Sequence, residues 1–217
     1  MTSHGKNMDR AIAMEGYKDG FTLLELLILL AVGLIVTAIA LPIMSNVIAN
    51  QKLRASMTSI SGLLQNTRMV AVHENKTKTA CHCKGASCPA SAEPHGLVYF
   101  AKDGTTCTIT TVPVRTDPQV ELEAPITPMT APTGAGAPPT IDNSDLGLLS
   151  NPLTTDPTFN SRGLPCLYVN PGTCTTNNGF IQYFRDDRIG SGAWAAISIT
   201  PAGRFKRWFW NGTKWTE

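Results

Sequence analysis

The first clear pattern along the chain is an apolar stretch near the N-terminus, Phe21 to Ser45, that contains one charged residue, Glu25. At about 1.5 Å per residue, 25 or so helical residues span roughly 37 Å, and a bilayer core needs about 20 residues. A secretory signal core has about 7–15 apolar residues and a small-residue cleavage site, which is absent after this stretch. The pattern therefore predicts a membrane-spanning helix over residues 21–45.

Beyond this stretch the pattern changes to that of a helix with one apolar face. Over residues 46–75, apolar residues recur three or four positions apart, and polar residues fill most of the remaining positions. We expect one continuous helix, with a membrane-embedded first half and a second half whose apolar face packs on a folded head. His73-Glu74-Asn75 marks its predicted end. The apolar positions are Leu53, Met57, Ile60, Leu64 and Ala71.

The rest of the chain, residues 76–217, has the pattern of a β-rich head. Five short runs are rich in β-branched and aromatic residues: GLVYF, TCTITTV, GFIQYF, AWAAISIT and RFKRWFW. Lys102-Asp103-Gly104 and Asn211-Gly212 are typical of hairpin turns. A long N-terminal helix followed by an antiparallel sheet predicts an α+β fold.

Residues 116–161 interrupt this head with a different composition. The segment has no lysine or arginine, six acidic residues and eight prolines, and it is rich in threonine. Such a composition is typical of chain that buries little apolar surface. We therefore expect an acidic surface loop, either a solvated linker or a loop that recognises a partner.

The formal net charge of the whole chain is only +2, so the overall charge does not indicate a polyanion-binding protein. Residues 1–20 are polar and contain no long apolar run, so we expect them to stay in the cytoplasm.

Glu25 is the one charged residue within the apolar stretch of residues 21–45. A carboxylate within a membrane span costs roughly 2.5–3.5 kcal/mol on insertion scales, and such residues usually have a partner.

The sequence KDGFTLLELL around Glu25 resembles the class III signal of type IV pilins and type II secretion pseudopilins. In that family a membrane-embedded prepilin peptidase removes a short leader that ends in glycine. By this resemblance Gly20 is the cleavage-site residue, Phe21 the processed and N-methylated residue, and Glu25 the assembly residue. The new α-amine of Phe21 would lie about one helical turn from Glu25 and could pair with it, within one subunit or between subunits.

Two later stretches extend the resemblance, more loosely, to the GspH/FimT subgroup of minor pilins. These are NTRMVAV near the end of the helix, and FRDDRIGSG with AISITPAGRFKRW near the C-terminus. The resemblance implies a non-enzymatic subunit or tip component of a type IV pilus or type II secretion pseudopilus. Its head would be periplasmic, its anchor would lie in the inner membrane, and its partners would be other pilins. A plain signal-anchored periplasmic domain is the alternative.

Six cysteines lie in the head, and an even count outside the cytoplasm predicts disulfides. Cys166 and Cys174 bracket a Pro-Gly turn and are the easiest pair to close. The other four, Cys81, Cys83, Cys88 and Cys107, allow three pairings among themselves. A metal site built on CHCKGASC is the alternative, but neighbouring Cys81 and His82 would point to opposite faces of a strand, so we predict no metal.

The C-terminal stretch PAGRFKRWFWNGTKW mixes basic and aromatic residues, a combination that can contact phosphates and stack on bases. Resemblance to minor pilins of DNA-uptake systems implies a DNA-binding role here, which makes DNA a possible further partner. The alternative is a final hairpin with a solvated basic face, because strand alternation would separate Lys206 from Arg207. The candidate DNA-binding residues are Arg204, Lys206, Arg207 and Lys214.

The sequence contains no recognisable catalytic motif. Nucleophile-elbow, phosphate-loop and metalloprotease-helix patterns are all absent, and the four histidines lie in unrelated contexts. We therefore predict no enzymatic activity and no cofactor. A histidine and a carboxylate that converge in a pocket of the head would be the observation that favours an enzyme.

Overall fold

The structure is a computed structural model. It describes residues 22–84, 97–104, 107, 119–122, 126–148, 151–170, 173–175, 179–188 and 192–217. The predicted cleavage site at Gly20 and Phe21, the cysteine Cys88 and most of the predicted TCTITTV strand lie outside these residues. Contacts divide the chain into two units, Met1–Ile43 and Met44–Glu217.

One helix, α1, runs from Leu23 to His73. The Thr22 hydroxyl accepts a hydrogen bond from the Glu25 backbone N–H at 3.2 Å, so Thr22 caps the start of the helix. The helix ends within the predicted His73–Asn75 stop, where Asn75 adopts a positive φ of 53°. Every predicted position of the apolar face, from Leu53 to Ala71, is buried at 2% exposure or less.

Eleven strands and one short helix follow α1 in the described residues. Their bounds are β1 Lys78–Lys84, β2 Leu97–Asp103, β3 Gln119–Leu122, β4 Ile126–Met129, α2 Asn143–Leu146, β5 Thr158–Phe159, β6 Leu167–Asn170, β7 Thr173–Thr175, β8 Phe180–Asp186, β9 Ala193–Ile199, β10 Phe205–Trp210 and β11 Trp215–Thr216. The α1 helix followed by antiparallel sheets confirms the α+β prediction and is consistent with a pilin fold.

The largest sheet has the strand order β11-β10-β9-β8-β4, and consecutive neighbours in this order pair antiparallel. One face of this sheet packs against the second half of α1. Leu53, Met57 and Ile60 of the helix share a buried cluster with Phe180 and Phe184 of β8. This cluster is the main core of the head, and it explains why the helix continues beyond the apolar stretch of residues 21–45.

The opposite face of the same sheet is also covered, which corrects the prediction for residues 116–161. Residues 126–129 form β4 at the side of β8, and Ile141, Leu146 and Leu148 pack on the face of the sheet that α1 does not contact. They bury Tyr183 and Trp208, and burial raises the pKa of the Tyr183 phenol above its ordinary value. A few apolar residues at suitable positions are therefore enough to cover this face of the sheet, although the average composition of the segment is polar.

The remaining strands form a four-stranded sheet, β3-β2-β1-β5, and a two-stranded ribbon, β6-β7. Where the β1–β2 pair ends, Lys78 makes ion pairs with Glu74 and Asp103. Burial by itself lowers the pKa of Lys78, but its hydrogen bonds to Asp103 and Glu74 raise that pKa above the ordinary value. The pKa of Asp103 is lowered, chiefly by its hydrogen bond to Lys78.

Candidate assembly site and basic groove

The C-terminal basic residues line a groove of about 460 Å³ between β10 and α1, which we call the basic groove. The strand β10 supplies Lys206 and Arg207, Arg204 directly precedes that strand, and α1 adds Arg54. Glu217 is the acidic residue among those that line it. The full lining is Arg54, Thr58, Arg204, Phe205, Lys206, Arg207, Phe209 and Glu217.

Strand alternation separates the basic side chains of β10, as the sequence predicts. Lys206 faces the covered side of the sheet, where its Nζ lies 4.9 Å from the Trp208 ring and forms an ion pair with Glu217. Arg207 faces α1, and its Nη1 donates a hydrogen bond to the Thr58 hydroxyl at 2.9 Å. Both side chains nevertheless line the groove.

Lys214, the remaining candidate DNA-binding residue, and Trp208, an aromatic residue of the same stretch, lie elsewhere. Lys214 is exposed in the turn between β10 and β11, and it does not line the groove. Trp208 is only 6% exposed, and its indole N–H donates to the Ser198 hydroxyl at 2.9 Å. It is a core residue and presents no ring face to a base. The aromatic side chains in the groove are Phe205 and Phe209.

A second set of functional candidates surrounds β1. Cys81 forms a disulfide with Cys107, and Cys166 forms one with Cys174. Cys83 is also disulfide-bonded. The sequence left three ways to pair Cys81, Cys83, Cys88 and Cys107. The Cys81–Cys107 bond agrees with one of them. Because these sulfurs are oxidised, Cys81 and Cys107 are not thiolate ligands in this state.

A histidine and a carboxylate do converge next to this disulfide. The Nδ1 atom of His82 lies 2.5 Å from Oδ1 of Asp156, and the side chains are 32% and 19% exposed. Neither residue lines the basic groove or the apolar cavity between Met69 and Phe205.

The N-terminal half of α1 presents the assembly candidate, Glu25. It occupies the third position of the helix, and its backbone N–H is capped by Thr22. A carboxylate here is also favoured by the positive end of the helix dipole. Residues Leu23–Ala40 are apolar and long enough to cross a membrane, and none of them is buried within the chain.

Residues 17–41 match the prokaryotic N-terminal methylation motif. This motif is the prepilin signal of type IV pilin-like proteins, and it supports a place for the chain in the pilin and pseudopilin superfamily. Searches of curated proteins and of solved structures find no match.

The methylation motif gives the assembly candidate its context. It includes the predicted cleavage position and Glu25, and it implies processing by a prepilin peptidase and assembly with other pilins. The motif and the exposed apolar helix together suit a membrane-anchored, pilin-like protein of a structural rather than enzymatic family.

Sequence reasoning missed three residues of these sites. Thr22 and Glu25 have the spacing of a capping box, Thr-x-x-Glu, which was a readable local signal. Arg54 lines the groove with Arg204, but the two lie far apart in sequence and no local pattern joins them. Asp156 likewise meets His82 only through the pairing of β5 with β1.

Proposed function

We propose that this protein is a minor pilin or pseudopilin. It is inserted in the inner membrane, cleaved before Phe21 and N-methylated there, and built into a type IV pilus, a type II secretion pseudopilus or the tip complex of either. The single observation that carries this proposal is the methylation motif at residues 17–41. The loosely matched stretches at the end of α1 and in β8–β10 make a GspH/FimT-type subunit our choice within that class.

The architecture supports this proposal because the two parts of α1 have different surroundings. Its first part is exposed and apolar, which suits lipid before assembly and a packed helical bundle afterwards. Its second part is fixed in the core of the head by Leu53, Met57 and Ile60. One helix thus contains both the membrane segment and the part that packs in the head.

Processing provides the direct test. Intact-mass and N-terminal peptide analysis of the protein from cells with the matching prepilin peptidase should find Phe21 as a methylated N-terminus. Gly20→Val should block cleavage, because the larger side chain crowds the peptidase cleft, while leaving membrane insertion unchanged. An unprocessed Met1 leader in assembled material would contradict the proposal and favour the plain anchored domain.

The basic groove favours a second candidate function, binding of DNA by a FimT-like minor pilin. Four cations line the groove with one acid, and Phe205 and Phe209 add apolar ring surface. Arg54 lies 4.3 Å from the Phe209 ring centroid, so the aromatic ring holds that guanidinium beside the groove. Two to four phosphate contacts predict weak, non-specific binding at about 10⁻⁴–10⁻⁶ M and a log–log salt slope of roughly −2 to −4.

The DNA candidate is tested by binding of the detergent-solubilised protein to labelled duplex DNA over a range of salt concentrations. Replacing Arg204 and Lys206 with glutamine should flatten the salt slope by about two units. Lys214→Gln is the matched control, because this lysine is exposed and lies outside the groove. Equal effects of the groove and control variants would remove the groove as the receptor and leave the filament role intact.

A further inference from the structure

The basic groove already holds a carboxylate of this chain. Glu217 lines the groove, and an oxygen of its side chain pairs with the Lys206 ammonium. The same ammonium lies 3.4 Å from the Asp145 carbonyl oxygen and 4.9 Å from the centre of the Trp208 ring. The Lys206 side chain is only 17% exposed, whereas the other three cations of the groove are exposed. One cation is therefore covered, and an acidic side chain forms part of its cover.

The pairing of β11 with β10 explains why this carboxylate lies in the groove. Thr216 of β11 is opposite Phe209 of β10, and its hydroxyl donates to the Phe209 carbonyl at 3.1 Å. Glu217 is the next residue, so the same register continued by one position sets it diagonally across from Lys206. Diagonal neighbours on an antiparallel pair are within reach of each other when their side chains are long. The strand therefore holds the carboxylate beside the lysine.

We propose that Glu217 is an internal competitor in the basic groove, and that a polyanion has to displace it to reach Lys206. This inference rests on the DNA-binding role proposed above and states which ligands can enter the groove. Because β11 holds Glu217 in place, its carboxylate acts at a high effective concentration and excludes a single phosphate or carboxylate group from solution. A DNA backbone also contacts the other three cations of the groove, and these contacts offset the loss of the internal ion pair.

The Glu217 carboxylate can leave the groove without disturbing the core of the head. Its side chain is 50% exposed, and the two residues of β11 are only partly buried. An ion pair with such an exposed partner is weak, so its displacement lowers the affinity for a polyanion by a factor of only about 2–5. Glu217 therefore tunes entry to the groove and does not close it.

The experiment measures binding of labelled duplex DNA to the full chain in detergent micelles by fluorescence anisotropy at low salt. Glu217→Gln keeps the shape of the side chain and removes its charge, so the affinity should rise about 2–5-fold. Asp142→Asn is the matched control, because this exposed aspartate makes no side-chain cap hydrogen bond and does not line the groove. In a Lys206→Gln background, Glu217→Gln should give no larger gain than Asp142→Asn, because the ammonium that Glu217 covers is absent.

Equal affinities of Glu217→Gln and Asp142→Asn would overturn the proposal, and so would a gain of full size in the Lys206→Gln background. Linear polyphosphate, a polyanion without bases, is the second probe. If no variant binds DNA but Glu217→Gln binds polyphosphate more tightly than the native chain does, the DNA candidate fails and the competition by Glu217 stands. If Glu217→Gln binds neither probe at low salt, both fail, while the filament role is tested separately by processing at Phe21.

Discussion

Replacing Gly203 tests how the end of α1 is joined to the last strands of the head. Gly203 closes the turn between β9 and β10 with a φ of +80°, and its N–H donates to the Thr200 carbonyl at 2.7 Å. Its own carbonyl accepts a hydrogen bond from Arg68 Nη1 at 2.8 Å. An added Cβ would lie 3.0 Å from both Cζ and Nη1 of Arg68. Gly203→Ala therefore strains the turn and pushes on the guanidinium that binds it.

The two effects have different magnitudes. A left-handed conformation costs a non-glycine residue roughly 1–2 kcal/mol. A hydrogen bond to a charged group contributes about 1.5–3 kcal/mol, and it is lost if Arg68 has to move away. The alanine variant should therefore lower the free energy of unfolding by about 2.5–5 kcal/mol if the bond breaks, and by about 1–2 kcal/mol if Arg68 adjusts and keeps it.

Gly212 provides the matched control for this substitution. It has a φ of +99° in the turn between β10 and β11, and an added Cβ would meet no atom within 4 Å. Gly212→Ala should therefore report the backbone strain alone. Urea unfolding of the full chain in detergent, followed by tryptophan fluorescence, measures both variants, because all four tryptophans lie in the head.

A double variant decides the interpretation. In an Arg68→Ala background, the cost of Gly203→Ala should fall to that of Gly212→Ala, because the guanidinium that the new methyl group displaces is absent. If Gly203→Ala still costs more than Gly212→Ala in the Arg68→Ala background, the role of Arg68 in this joint is refuted. Equal costs in the native background would show that Arg68 adjusts and keeps its hydrogen bond.

Two further predictions concern charged residues. Glu25→Leu should leave membrane insertion intact yet reduce incorporation into filaments, because a buried α-amine without its partner costs about 3–5 kcal/mol; normal incorporation, measured by immunoblot of sheared filaments, would remove the docking role. Asp103→Asn should lower stability at pH 7 and make no difference in strong acid. Because the pKa of Asp103 is lowered in the folded protein, its carboxylate contributes stability at pH values above its ordinary pKa of 3.8. This contribution is lost as the pH falls through the folded pKa. Urea midpoints of both proteins against pH measure this gap, and a gap that persists at pH 2 would argue against the Lys78 ion pair as its source.

The elements in which apolar residues repeat regularly could be predicted from the sequence. The apolar positions of α1 recur over several turns, so its end at His73 followed from the pattern. The strands β8, β9 and β10 coincide with runs of β-branched and aromatic residues. Glu25 was found because one carboxylate in an apolar run is conspicuous.

The features that depend on contacts between distant residues could not be read in this way. Ile141, Leu146 and Leu148 are too few to change the composition of their segment, yet they cover a face of the sheet. The segment was expected to be an acidic surface loop because its average composition is polar and rich in proline. The pairing of Cys81 with Cys107 depends in the same way on how β1 and the chain after β2 approach each other in three dimensions.

The five-stranded sheet ends in strands that resist pairing with another chain. The outer strand β4 contains Pro128, which has no N–H to donate, and the outer strand β11 has only two residues. Exposed edge strands promote aggregation when identical domains are crowded together, and proline or a very short strand prevents this. Heads held side by side at high local concentration would therefore not pair through the edges of this five-stranded sheet.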